Sequence, residues 1–421
     1  MKKVYRADFC VCGGGASGWI AACAAARMGK KVIMLERNSY PGGLASGGYV
    51  GPVSKCRMNG EQIIGGIPWE FLTKLSKTGD AITTLPSGFV PFDSEAYKFV
   101  AFKMLRESGV QSFYGTTLTG ATAEQGYITS VSALCEGTPF YVEADYFMDA
   151  TGSGALLNLA AIPHQFRQQK NQPLSLVFKL VGVDTEKLTL VKEYDHTRTF
   201  SKELREILEQ GVAAGKISSF GGPWSVWGAV LTPGMVSVNA TRCGAVPSDP
   251  EQYSYACEKM HSEIPVIVEL FHQFEPYKNA RLAAVAPMTG VRESRELIGK
   301  HRIAFDELFD TTPLPDSIAL GGHPVDRHCA DSSAQNIQFL NQAYQIPYAS
   351  MIPQNGGNVM AAGALISADP DAYATLRVQA QCMACGQAAG VSAALGMPED
   401  IALIRAELKS QGAVIDLPAA G

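Results

Sequence analysis

The chain has 421 residues, 46% hydrophobic and 18% charged, with 42 glycines and 10 cysteines. That length suggests two or three lobes around a large core, and so apolar a composition excludes a disordered chain. A net charge of −5 excludes a basic field for nucleic acid or acidic lipid, and cysteines this sparse exclude a disulfide scaffold and point to reduced thiols in the cytoplasm.

Lys2 and Lys3 are followed by an apolar stretch that Arg6 and Asp8 interrupt. That is too short for the core of a secretory signal, and no apolar run reaches the ~18 residues of a membrane span. A soluble cytoplasmic protein with no membrane partner is expected.

Asp8–Cys12 predicts a buried strand. Gly13-Gly14-Gly15-Ala16-Ser17-Gly18 follows it and fits G-x-G-x-x-G; an Ala-rich helix over Trp19–Met28 comes next, with Gly29 as its stop. Lys31–Leu35 predicts a second strand ending in Glu36. This is the order of a dinucleotide-binding βαβ unit. Gly13 permits the tight turn, Gly15 lets backbone amides approach a pyrophosphate, and Gly18 lets the helix lie close on the sheet. Glu36 suits ribose hydroxyls and repels a 2′-phosphate. The unit alone fits NAD or FAD. The small-residue loop after Glu36-Arg37, which holds Gly42, Gly43, Leu44 and Ala45, permits close approach of something bulky beyond the pyrophosphate.

Further along, Asp93–Leu105 predicts an amphipathic helix capped by Asp93 or Ser94. Alternating segments from Gly109 to Phe147 predict a small sheet insertion. Tyr146–Asp149 predicts a strand entering the turn Ala150-Thr151-Gly152. Strands are expected at 174–181, 225–230 and 235–239, and a helix at 250–274. These divisions give a nucleotide-binding part over 1–164, a mixed α+β substrate lobe over 165–285 and a return to the first domain over 286–421. Arg377-Val378 then opens a long helix of small residues.

The chain resembles the bacterial FAD-dependent oxidoreductase family, two-dinucleotide-binding-domain flavoproteins related to the fumarate-reductase type and to heterodisulfide-reductase flavin subunits. The resemblance rests on the Gly13 motif, Glu36-Arg37 with Gly42-Gly43, Asp149-Ala-Thr-Gly152 and Val238-Asn-Ala-Thr-Arg242. It continues through Gly290-Val-Arg-Glu-Ser-Arg295, Asp326-Arg-His328, Ile346-Pro-Tyr348 and Gly386-Gln-Ala-Ala-Gly390. It implies an α/β fold with a doubly wound, Rossmann-like, mainly parallel sheet, and non-covalent FAD stretched along Gly13–Gly18 and Glu36, with Ala150–Gly152, Gly363, Arg377 and Val378 toward the flavin end. Ala349 and Ala364 replace arginines common in the family, and Gln379-Ala-Gln381 replaces a stretch that often holds proline.

Arg292, Arg295 and Arg377 are candidates for an anion clamp on a small, possibly carboxylate, substrate. The alternative for the first two is salt bridging to Glu293 and Glu296 along a helix. His328 is the first candidate for an acid/base beside hydride transfer, with His323 and Tyr348 behind it. Cys382 and Cys385 are expected to be buried small hydrophobes, and no metal-ligand spacing occurs. A dehydrogenase, a desaturase or the reverse reductase fits these features. An electron-relay subunit and a non-catalytic binding protein are the alternatives.

Overall fold

The computed structural model describes residues 3–167, 172–188, 202–225, 231–330 and 332–418. Its centre is a sheet whose parallel strands run Gln111–Phe113, Val32–Leu35, Lys3–Cys12, Thr138–Asp149. Val359–Ala361 pairs in parallel with the C-terminal end of the last of these. The antiparallel strands Thr116–Glu124 and Tyr127–Cys135 extend its other edge, which is the sheet insertion.

The opening strand shows why the sheet needs cover on both faces. Phe9 and Val11 enter a helical core, while Cys10 and Cys12 enter a second core under the antiparallel extension. All four are at most 1% exposed, as strand alternation between two buried layers requires.

The helical layer holds Ala16–Arg27 and, from the other end of the chain, Gln379–Ala394. Ala and Gly let these two pack backbone to backbone. A Cβ at Gly386 would lie 2.2 Å from Ser17 O, and one at Gly390 2.2 Å from Ala21 O. The opening helix ends at Arg27, and Gly29 takes φ +84° in the turn after it. The predicted helix near 93 is Ser94–Glu107, with Asp93 accepting from the amides of Glu95 and Ala96.

The second lobe has its own core around a four-stranded antiparallel sheet: Phe220–Ser225, Met235–Thr241, Phe178–Val181, Arg281–Val285. Helices Lys202–Ala213 and Pro250–Phe271 cover one face. Of the strand expected over 225–230, all but Ser225 lies outside the described residues. Among the described residues no helix is long and apolar enough to cross a membrane. The fold is α/β with a Rossmann-like domain and a mixed lobe.

Candidate active site

At the end of the opening strand Gly13 turns with φ +105°, and a Cβ there would lie 2.3 Å from Ala150 O. Only glycine permits that approach. Gly18 is tighter still, with a Cβ position 1.9 Å from Gly13 O. Gly15 caps the helix that begins at Ala16 and Ser17, with no side-chain cap among the described residues and no acid in the first turn. The helix N-terminus therefore offers its amides and dipole to an anion. Gly42 N donates to Gly14 O at 2.8 Å, and a Cβ at Gly43 would reach Gly15 Cα at 3.0 Å. Leu44 O accepts from Gly48 and Val50, closing the small-residue loop, in which Ala45 is buried.

Glu36 is buried and accepts from Gly14 N at 2.6 Å and from Asn38 N and Nδ2 at 2.8 and 2.6 Å. Its carboxylate is thus fixed beside the turn, with Arg37 exposed next to it. Asp149, 0% exposed, shapes the Ala150–Gly152 turn by accepting from Thr151 N, Thr151 Oγ1 and Leu157 N at 2.7–2.9 Å. Burial raises its pKa. Gly363, with φ +69°, would put a Cβ 2.8 Å from Ser17 Oγ and 3.6 Å from Cys382 Sγ. The opening glycine turn and the closing helix, begun by Val378, therefore meet.

A polar cluster lies where the lobe meets this domain. Arg377 donates from Nη2 to Gln172 Oε1 (3.2 Å) and Asp326 O (2.8 Å). Arg292 donates from Nη1 to Pro173 O and Ser175 Oγ. Burial, with Arg377 and Arg242 close by, pushes the Arg292 guanidinium down to about 9, so it stays charged at neutral pH. Glu293 accepts from Gln172 N and Nε2. Asp326 accepts from Gln335 Nε2 at 2.5 Å, and His328 with Arg377 holds its carboxyl well below the usual range despite burial. Three arginines, 242, 292 and 377, thus face two carboxylates, Asp326 and Glu293.

The other predicted residues are each held by partners of their own. His328 Nδ1 lies 2.9 Å from Arg242 Nη2, and its Nε2 lies 3.2 Å from Asp326 Oδ2. Arginine only donates, so Nδ1 accepts and the proton sits on Nε2. Both ring nitrogens are thus engaged by neighbouring side chains, which fixes the orientation of the ring. Tyr348 is 6% exposed inside the helical core, its hydroxyl 2.5 Å from Ser392 Oγ, and burial pushes it up to about 12. Arg295 lies outside the arginine group: it donates to Ser153 O and its guanidinium stands 4.6 Å from the centre of the Phe166 ring. Nor do Arg292 and Arg295 pair along a helix, because 291–294 is irregular and Arg295–Leu297 is a strand. His323 Nδ1 meets Ser54 Oγ at 2.5 Å. Cys382 and Cys385 are buried thiols, the first pushed up to about 12 by burial. Arg242 and Asp326 carry no local signal beyond the blocks of the family resemblance, and Gln172 carries none at all.

Burial holds His328 down at about 4, from 6.5. The unfolded chain therefore binds the extra proton between these values, and stability falls as pH drops from about 6.5 to 4, by ~3 kcal/mol at most. His328→Gln keeps an acceptor and a donor and should flatten this slope. Urea midpoints for both proteins across pH 4–7 check it; parallel slopes would count against the assignment.

The family model described as "FAD dependent oxidoreductase" matches residues 8–410. No curated protein sequence matches the chain. Among solved structures, a geranylgeranyl bacteriochlorophyll reductase-like protein from Thermoplasma acidophilum is 12% identical with TM-score 0.51, covering 97% of this chain and 85% of that one. The myxobacterial chondrochloren halogenase CndH (12% identity, TM-score 0.47, 97% and 79% covered) and the flavin-dependent brominase Bmp2 (13%, 0.48, 96% and 83%) are also similar. At such identity the likeness is one of fold. The residues present fit FAD: an uncapped helix start, a fixed carboxylate at Glu36, and glycines at 13, 18, 43 and 363 where a Cβ would crowd neighbouring protein atoms, so that the turns and the helix start come close together. The chain belongs to the FAD-dependent oxidoreductase family, as an enzyme whose cofactor is FAD.

Proposed function

We propose that this enzyme oxidises or reduces a small organic anion, a carboxylate in the first instance, by dehydrogenation, desaturation or the reverse. The observation that carries this reading is the group of three arginines with, among the described residues, two carboxylates facing them, one of which, Glu293, is committed to Gln172. Excess buried positive charge is costly unless an anion completes it.

Bound FAD supplies the two-electron hydride chemistry. The chain's own residues do the rest. Gly13–Gly18 and Glu36 take the nucleotide half. Arg292 and Arg377 bind the substrate's anionic group and so orient its reacting carbon. Gln172 and Asp326 fix Arg377, and Arg242 is tethered to the carbonyls of Cys329, Ser332 and Ala334. The start of Gln379–Ala394 has no side-chain cap among the described residues, so its dipole favours negative charge developing nearby.

Anaerobic bleaching of the yellow holoprotein by a panel of carboxylates and neutral alcohols tests this. Carboxylates should bleach it, and Arg377→Ala should slow that at least about thirtyfold, since a truncated buried charge contact costs ~2–5 kcal/mol. Neutral compounds working equally well would overturn the anion reading.

A further inference from the structure

The lobe sheet turns one face to its own helices and the other to the nucleotide domain. On Met235–Thr241, Val236, Val238 and Ala240 belong to the lobe core. Alternation therefore places Met235, Ser237 and Asn239 on the opposite face. Ser237 stands across from Lys179 in the antiparallel register. Both line a narrow cleft whose far wall is Tyr49, Gly51 and the Asp93–Ser94 helix start. Lys179 Nζ donates to Ser94 Oγ at 2.8 Å and lies 4.5 Å from the centre of the Tyr49 ring.

Two connections run from this cleft to the arginines. Gln379, two residues past Arg377, donates to Val50 O at 2.6 Å, inside the Tyr49–Gly51 wall. Asn239 follows Ser237 along the same face and precedes Arg242 by three residues. Asn239 Oδ1 is buried with no hydrogen-bond partner among the described residues, and so are Gln379 Oε1 and the Nε atoms of Arg242 and Arg377. Buried polar atoms left unmade cost free energy. Here unsatisfied acceptors lie on segments joined to those that carry unsatisfied cationic donors.

We infer that Asn239 Oδ1 accepts a hydrogen bond from a hydroxyl or amine of the substrate whose carboxylate Arg292 and Arg377 hold, so that the substrate class is a hydroxy- or amino-carboxylate. This rests on the anion reading above. A site built around such a bond rejects the analogue that lacks the donor, because the acceptor is then buried unpaired.

Calorimetric titration of the holoprotein with matched pairs tests it: lactate against propionate, and malate and aspartate against succinate. At least one donor-bearing acid should bind wild type about tenfold or more tighter than its plain partner. Asn239→Leu should erase that preference by weakening the donor-bearing acid while binding the plain acid no more weakly than wild type does, which a merely structural role would not do. If that variant does not fold, Asn239→Ser, with its shorter reach, serves the same comparison. A preference that survives the substitution overturns the inference. So does binding that depends on Arg377 but shows no preference in wild type, and in that case the anion reading stands. No binding by any of these acids would remove both.

Discussion

Replacing Arg167 by alanine is expected to destabilise the protein by about 3–5 kcal/mol, the range for removing one partner of a buried ion pair. The Arg167 and Glu296 side chains are 2% and 1% exposed and meet at 2.7 Å. The guanidinium also donates to the carbonyls of Ala364, Ile366 and Ala368, and its centre stands 3.4 Å from that of the Tyr373 ring. Truncation would leave Glu296 with Gln165 and the half-exposed Arg302, and would leave those carbonyls buried without their donor. Arg167→Met keeps much of the packed volume, so it separates lost charge from lost bulk. Adding Glu296→Leu to it should recover part of the loss, because an uncompensated buried carboxylate costs more than an apolar pair. Urea midpoints of the four proteins measure this. A single-variant effect below about 1 kcal/mol would mean that Arg302 suffices for Glu296. The tethered stretch 364–377 lies between Gly363 and the closing helix, so the alanine variant should also retain less flavin on purification.

What was legible in the sequence was what is decided locally. The strand, glycine turn, helix and Glu36 lie within 36 residues, and each is specified by its neighbours: apolar run, Gly spacing, Ala-rich helix, terminal acid. The Asp93 cap is a three-residue signal of the same kind. The strand Val359–Ala361 was not legible. Three apolar residues have no periodicity, and only pairing with Phe147–Asp149, some two hundred residues earlier, makes them a strand. The arginines show the same limit. Arg292 and Arg295 looked equivalent in sequence, but Arg292 lies in the irregular stretch 291–294 while Arg295 opens a strand. One therefore reaches Ser175 and the cluster, and the other reaches Ser153 and Phe166. His328 had the right chemistry for proton exchange, yet Arg242, 86 residues away, fills its acceptor nitrogen. Side-chain roles at a lobe boundary are set by tertiary contacts that composition and spacing do not encode.

Gly18→Ala should abolish FAD retention. The added methyl would lie 1.9 Å from Gly13 O and 2.9 Å from Ala150 Cβ. Both neighbours are held in place: Gly13 N bonds Leu35 O and Ala150 N bonds Cys12 O. Alanine would otherwise favour the helix by about 1 kcal/mol over glycine, so the clash decides the sign. Relieving it means lifting the helix start off the glycine turn, which moves the uncapped amides from the place where a pyrophosphate would meet them. The variant should purify with less than about a tenth of the wild-type flavin, as the loss of ~1.4 kcal/mol per tenfold in affinity implies. Its far-UV circular dichroism should stay close to wild type, since the other strands and helices do not depend on that contact. Gly29→Ala is the control: its methyl meets nothing within 4 Å among the described residues, but φ is +84°, so it should cost about 1–2 kcal/mol of stability and no flavin. Full flavin content in Gly18→Ala would show that the cofactor does not sit on this turn, because no bound dinucleotide could tolerate the displacement that the methyl group forces.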